Sequence, residues 1–339
     1  MNPINTMNAS ILLQAFKGTN RQIPVWFMRQ AGRYLPSYQK IRAQYPLKEM
    51  FQNPDLASTI TVQPVDILGV DAAILFADIL TLPQAMGASI EFDNQAGPVV
   101  TPISAGVSLH EMNDLPDLRK TIQLTKEKLA NRVPLIGFAG SPFTVLTYLI
   151  EGGSSVNFHK TFSMMHKESR KFHELMELLT VNTIKYLKLQ KENGVDVFQL
   201  FDSWGGILRP ADYAHFVLPY VCSIFEEVDL PSIYYLKNCA HLLPIMDKTE
   251  AEFLSVCQTV VLGHQTTIEK TKKGIQGNFF NGLLYAPKET IEKEAHDVVM
   301  GGLRHKRFIF NLNHGIFPDV NPDALKWLVE KVHSYKVER

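Results

Sequence analysis

The stretch Ile23-Pro-Val-Trp-Phe-Met-Arg-Gln-Ala-Gly-Arg33 begins apolar and ends abruptly in a charged turn that contains glycine. An apolar run of that length ahead of a glycine reads as a short buried strand entering a loop. Arg29 and Arg33, with Gly32 between them, bring two guanidinium forks to backbone that a ligand can approach closely. A guanidinium pairs bidentately with carboxylate or phosphate. Two surface arginines with salt-bridge partners are the plain alternative. Their place directly after a buried strand favours an anion site, because parallel α/β folds put their chemistry at strand ends.

Outward from this stretch the same unit repeats. Short β-rich runs lie at Ile23–Met28, Ala72–Phe76, Pro134–Phe138, Val195–Leu200, Ser232–Leu236, Thr259–Leu262, Gly274–Gly277 and Arg307–Leu312. Helical patterns lie between them, at Asp55–Val65, Asp117–Ala130, His166–Lys191, Ala211–Glu227, Glu289–Met300 and Pro322–Lys336. Alternation of this kind predicts a parallel sheet. Eight such units in 339 residues predict an α/β protein, a (β/α)8 TIM barrel forming one domain over residues 1–339. Ser89–Val100 falls outside the alternation and reads as a hairpin inserted after the second strand. An open doubly wound sheet would want a glycine-rich phosphate loop. The chain has no Gly-x-Gly-x-x-Gly and no P-loop, which sets aside dinucleotide dehydrogenases and nucleoside-triphosphate enzymes.

Composition narrows the partners. Lysine plus arginine equals aspartate plus glutamate, at 34 each, so there is no electrostatic footprint for nucleic acid. A local arginine cluster in a neutral chain points to a small anionic ligand. The three cysteines, Cys222, Cys239 and Cys257, give no disulfide framework and suit a reducing cytosol. No apolar run reaches the length of a membrane span. Residues 1–16 carry no basic leader and read as a first helix capped by Asn8 or Ser10, with Met7 an alternative start to Met1.

In a barrel the functional groups gather at the C-terminal ends of the strands. The first strand delivers Arg29 and Arg33, and the second delivers Asp78. The third delivers Gly140-Ser-Pro-Phe-Thr144, with Tyr148 farther along the next helix. The fourth delivers Asp202 and Ser203, and the eighth His314. Each has an ordinary alternative: Asp78 and Ser203 as helix caps, Tyr148 as a core aromatic, His314 as a satisfied loop histidine. Their shared placement at one face favours a site.

Those segments resemble the uroporphyrinogen decarboxylase family. Pro24-Val-Trp-Phe-Met-Arg-Gln-Ala-Gly-Arg-Tyr-Leu-Pro-Ser-Tyr38 matches its N-terminal signature. Phe76-Ala-Asp78-Ile-Leu, Gly140-Ser-Pro-Phe-Thr144, Tyr148-Leu-Ile-Glu-Gly152, Asp202-Ser203-Trp-Gly-Gly and Asn311-Leu-Asn-His314-Gly-Ile-Phe-Pro318 match later motifs in order. Three departures stand out. The family's Leu-Asp-Trp after the sixth strand is read here as Leu262-Gly-His264-Gln265. Its Gln-Gly-Asn-Leu-Asp-Pro becomes Gln276-Gly-Asn-Phe-Phe-Asn281, and Asn313 replaces a glycine before His314.

The resemblance implies conversion of the four acetate arms of uroporphyrinogen III to methyl groups, giving coproporphyrinogen III, without cofactor or metal, by a cytoplasmic homodimer. It implies a substrate site of Arg29, Gln30, Ala31, Gly32, Arg33, Asp78, Tyr148, Ser203 and His314. Asp78 would accept the pyrrole N–H groups and stabilise developing positive charge. Arg29 is the proton donor suggested by position, although arginine is a weak acid; a substrate carboxylic acid, a water and Tyr148 are the alternatives. Arg33 and Arg42 read as further carboxylate anchors, with a place on the helix after Pro36 the alternative for Arg42. Two other classes compete. A zinc-dependent barrel methyltransferase would need three metal ligands, for which Cys239-Ala-His241 and Cys257 are the available donors. A non-catalytic tetrapyrrole carrier is the other.

Overall fold

A computed structural model of the chain describes residues 10–93 and 97–337. Asn8, Met1 and Met7 lie outside them. Ser10 caps the first helix, Ile11–Lys17, by accepting the N–H of Leu13. Nine strands follow in chain order: β1 Ala73–Ile74, β2 Ile90–Asp93, β3 Gly97–Val100, β4 Leu135–Gly140, β5 Val197–Asp202, β6 Ser232–Leu236, β7 Phe253–Ser255, β8 Gly274–Phe279 and β9 Phe308–Leu312. Seven of them form one sheet in the order β1-β4-β5-β6-β7-β8-β9, with every neighbouring pair parallel. The remaining two, β2 and β3, are the antiparallel hairpin expected between Ser89 and Val100.

The sheet's two edges are joined by the Ile23–Met28 segment. Phe310 N–H donates to Pro24 O at 2.9 Å on the β9 side, and Asp71 N–H donates to Val25 O at 2.8 Å on the β1 side. Val25 thus forms a single parallel bridge with Phe310 rather than a regular strand. Two features interrupt the ladder: Pro24 has no N–H to offer, and the Val25 N–H is taken by the Asp71 carboxylate at 2.7 Å. Counting this segment, eight staves close the barrel, in accord with the alternation in the sequence.

Three boundaries differ from expectation. The sixth strand is Phe253–Ser255, and Thr259–Leu262 is turn. Consecutive apolar residues suggested a strand at Thr259–Leu262, yet Val261 is exposed there. The true strand is masked by polar residues with specific partners, since Glu252 meets Arg307 and Ser255 bonds Gln276. The pattern over His166–Lys191 is two helices, His159–Lys167 and Ser169–Glu192. Ala211–Glu227 likewise breaks into Pro210–Phe216 and Leu218–Glu227. There Pro219 has no N–H to offer the His215 carbonyl, and the backbone breaks at Val217, φ −125°.

Inside the barrel, below its open end, lies a polar layer. Gln276 of β8 accepts from the Trp26 indole N–H at 2.9 Å and donates to Gln199 of β5 and Ser255 of β7. All four residues are fully buried. Each such bond matters because a buried amide left without a partner costs more than the bond gains.

Candidate active site

The arginine loop is fastened on every side. Met28 N–H donates to Asn311 Oδ1 at 3.1 Å, and Ile316 N–H donates to Met28 O at 3.1 Å. Gln30 is fully buried; its Oε1 accepts from Phe27 N–H at 3.0 Å and its Nε2 donates to Ala72 O at 2.8 Å. Its carbonyl accepts from the Tyr34 hydroxyl at 2.7 Å. The Gln30 side chain is therefore a peg holding the loop to the β1 stave. By contrast, the N–H groups of Ala31 and Gly32 meet no acceptor among the described residues. Arg29 adopts φ 60°, an unusual conformation for a residue with a side chain. A Cβ on Gly32 would stand 2.8 Å from the Arg29 carbonyl, and one on Gly315 would stand 2.3 Å from Arg29 Cδ. Both glycines therefore leave room for Arg29, and its side chain lies against the backbone just after His314. Arg33 and Arg29 are exposed, and no described carboxylate lies within ion-pair distance of either.

Asp78 follows β1 and is partly buried. Its Oδ1 accepts the Leu80 N–H at 2.8 Å. Burial pushes its carboxyl above the usual carboxylate range, while the Leu80 N–H and the Arg29 guanidinium oppose that shift. Gly140 at the end of β4 permits this approach, since a Cβ there would meet Ile79 Cβ at 3.1 Å and Val145 Cγ2 at 2.8 Å. Tyr148, on helix Pro142–Glu151, feels the Asp78 charge. Burial first, then that charge, raises its hydroxyl above the usual tyrosine value, against the pull of Arg29.

The β5 end separates two neighbours. Asp202 is fully buried and points outward, accepting from Thr144 Oγ1 at 2.7 Å, Gly205 N–H at 3.0 Å and the Tyr234 hydroxyl at 3.1 Å. It organises the turn rather than facing the mouth. Thr144 also accepts the Trp204 N–H at 3.1 Å, so the two motifs brace each other. Ser203 lies between them, partly exposed. The Trp204 ring packs against Tyr148, centroids 5.9 Å apart. Glu151, beside Tyr148 in the sequence motif, caps the helix His159–Lys167 through Thr161 N–H and Oγ1, each at 2.8 Å.

His314 completes the rim. Its imidazole is pulled down to about 4 by burial and by the nearby charges of Arg29 and Lys237. Its ring lies edge to face with Tyr235 of β6, centroids 6.4 Å apart. Fields and contacts thus bring Arg29, Asp78, Tyr148 and His314 to one mouth. Ser203 follows β5 next to Trp204, and the Arg33 charge is felt by Tyr38 rather than by these four residues. Arg42 ends helix Pro36–Arg42 and donates to Tyr45 O at 3.0 Å. Lys237 was not among the expected residues, although the strand-end rule applied to Ser232–Leu236 points at it.

The departures also find their places. His264 Nδ1 sits 2.8 Å from Thr266 Oγ1 and caps the short helix Gln265–Lys270, away from the strand end. With β7 ending at Ser255, the residues following that strand are Val256-Cys257-Gln258. Gln258 Oε1 accepts from Asn313 Nδ2 at 2.8 Å, Asn313 Oδ1 accepts Asn281 N–H at 2.7 Å, and Asn281 Nδ2 reaches Gly315 O at 2.8 Å. The departures at Asn281 and Asn313 are therefore one hydrogen-bonded unit under the His314 turn.

Cys257 Sγ receives the Asn238 N–H at 3.1 Å and lies 3.0 Å from Thr259 Oγ1. With the Cys239 thiol donating to it first of all, Cys257 ionises well before Cys239. His241 Nε2 is 2.9 Å from Leu208 O. Among the described residues no three His, Cys, Asp or Glu side chains are grouped to hold a metal ion, and no helix is long and apolar enough to cross a membrane.

A sequence model of the family described as Uroporphyrinogen decarboxylase (URO-D) matches residues 7–335. A uroporphyrinogen decarboxylase of Bacillus pumilus (strain SAFR-032) is 41% identical over 338 residues, 96% of this chain and 95% of its own. One from Thermodesulfovibrio yellowstonii is 43% identical over 320 residues, 92% of this chain and 94% of its own. Among solved structures, a methyltransferase from Methanosarcina mazei superposes with TM-score 0.81 over 96% of this chain and 97% of its own. At 21% identity that likeness shows the shared barrel fold alone. With the family model matched over nearly the whole chain and relatives this similar aligned almost end to end, the chain belongs to the uroporphyrinogen decarboxylase family.

Proposed function

We propose that this chain is a carboxy-lyase that removes carbon dioxide from the four acetate arms of uroporphyrinogen III, giving coproporphyrinogen III without a cofactor. The observation that carries the reading is Asp78, a partly buried carboxylate at the β1 end, fixed through one oxygen and set beside the loop of Arg29 and Arg33, which have no described carboxylate within ion-pair distance. Its second oxygen is available to the four pyrrole N–H groups of a macrocycle. Those donors replace the water that burial has removed and so favour the ionised form. Arg29, Arg33 and the free N–H groups of Ala31 and Gly32 suit the carboxylates at the substrate's rim. Tyr148, Ser203 and neutral His314 suit further oxygens as hydrogen-bond partners, and the Gln30 side chain acts by holding the loop.

The chemistry follows from charge. Protonation of a pyrrole ring carbon makes the ring cationic and able to accept electrons. The bond to the acetate carboxylate then breaks, carbon dioxide leaves, and its electron pair neutralises the ring. Protonation of the exocyclic carbon and loss of the ring proton give a methyl group, so each arm consumes one proton overall. Asp78 stabilises the transient cation, an effect worth about 3–4 kcal/mol for a preorganised group. Arg29 holds the reacting carboxylate; the ring proton comes from a substrate carboxylic acid, a water or Tyr148.

The protein acts as a single domain in the cytoplasm and as a homodimer. Exposed Phe280, Tyr285 and Phe317 near the β8 and β9 ends, with the last two stacked 5.8 Å apart, support a face covered by a second copy. The deciding experiment is anaerobic incubation of chelator-treated protein with uroporphyrinogen, resolving products by carboxylate count. Stepwise formation of seven- to four-carboxylate products is expected, much slowed in Asp78→Asn. No product from folded protein would sink the assignment.

A further inference from the structure

The sheet order gives the mouth two opposed sides. Counting the Ile23–Met28 segment as the first stave, β6 is the fifth of eight, so it stands across the barrel from the arginine loop. Alternation along β6 then decides what it presents. Tyr234 faces outward, bonded to Asp202 and packed on Phe225 of helix Leu218–Glu227, centroids 5.4 Å apart. Tyr235 faces inward, against Phe201 at 5.6 Å and His314 at 6.4 Å. Lys237 lies two residues on, hence on the inward side at the open end. Its backbone is fixed as a continuation of the strand, since its N–H donates to Asp202 O at 3.2 Å. Asn238, at φ 56°, then turns the chain away. Gly206 packs directly on the Lys237 carbonyl, where a Cβ would clash. The side chain is partly buried, and no described carboxylate lies within ion-pair distance of its ammonium. The Lys237 charge is also felt by His314.

We infer that Lys237 is a further substrate-binding residue, a carboxylate anchor facing Arg29 and Arg33 across the mouth. The inference rests on the substrate assigned above, whose carboxylates ring the macrocycle and so demand cations on more than one side. A single arginine loop would leave the far rim held by neutral groups alone. Lys237 supplies the missing charge there, and its loss weakens binding without removing the Asp78 and Arg29 chemistry.

The test compares wild type, Lys237→Met and Lys237→Arg. Steady-state decarboxylation gives KM and kcat, and titration with uroporphyrin, the oxidised octacarboxylate, gives affinity independently of turnover. The methionine variant should raise KM and the uroporphyrin Kd about tenfold to a hundredfold at low salt, the range of one charge-assisted bond, with kcat nearly unchanged. The arginine variant should recover most of the loss, and salt should weaken wild type more than Lys237→Met. In the unliganded methionine variant the His314 imidazole should titrate higher by NMR, which places the side chain in the mouth. Unchanged KM and Kd in folded Lys237→Met overturn the anchor. Lys237-dependent uroporphyrin binding with no turnover by wild type keeps the anchor and overturns the reaction.

Discussion

Gly315→Ala should disable Arg29 without touching its charge. The added methyl carbon would stand 2.3 Å from Arg29 Cδ, 2.7 Å from Cγ and 3.0 Å from Nε. Ordinary carbon contacts lie near 3.5–4.0 Å, so the Arg29 side chain must move by about 1–1.5 Å. The loop backbone cannot absorb that shift. Its flanks are tied to Asn311, Ile316, Phe27 and Ala72, and the Arg29 carbonyl already lies close over Gly32. Gly315 itself has no left-handed φ, so alanine fits its backbone without strain. The displacement therefore falls on the guanidinium. A charge-assisted bond is worth about 1.5–3 kcal/mol, which predicts kcat/KM lower by roughly 10- to 150-fold. The assay is anaerobic decarboxylation by wild type, Gly315→Ala, Arg29→Ala and the double variant, with thermal melts as the control for folding. If the methyl acts through Arg29, it should cost little once Arg29 is already gone. Full activity in Gly315→Ala, or losses that simply multiply in the double variant, would refute the reasoning.

Three further outcomes are expected. Asp78→Asn should lower kcat by about 10²–10³ while melting at or above the wild-type temperature, since the neutral amide keeps the Leu80 bond and sheds a buried charge; a marked drop in melting temperature would contradict this. Gln30→Leu should cost about 2–5 kcal/mol in urea unfolding, because Phe27 N–H and Ala72 C=O lose their buried partner; a cost under about 0.5 kcal/mol would show that the peg is dispensable. His314 takes a proton near 6.5 when unfolded and near 4 when folded. The unfolded chain therefore binds more protons between those values, and stability should fall as pH drops through that window, by roughly 1–3 kcal/mol. His314→Gln should flatten the slope, and an NMR midpoint near 6.5 in folded wild type would rule the account out.

Periodicity made the alternation of strands and helices legible, and the strand-end rule then pointed to Arg29, Arg33, Asp78, Ser203 and His314. It failed where polar residues interrupt a strand for a specific tertiary reason. Ser255 and Glu252 hide β7 because their partners, Gln276 and Arg307, are remote in sequence. The same blindness misplaced the departure at the sixth strand, assigning His264 and Gln265 to a strand end when they open a surface helix. Asn281 and Asn313 looked like separate oddities, since only the fold brings them together. Gln30 and Asp202 show the other gap: a polar residue in a motif can serve the scaffold as readily as the ligand, and only burial and partners distinguish the two.

Closure of the barrel through Val25 and Phe310 has a consequence for synthesis. The arginine loop is synthesised long before its neighbours Asn311, Gly315 and Ile316. Until then the apolar N-terminal segment can pair only on its β1 side, through Asp71 and Ala72, and its long-range pairing with β9 forms slowly. A chain truncated before β9 should therefore expose Trp26 and Phe27 and bind holding chaperones. In the finished protein, the cationic loop takes shape only as the last stave docks.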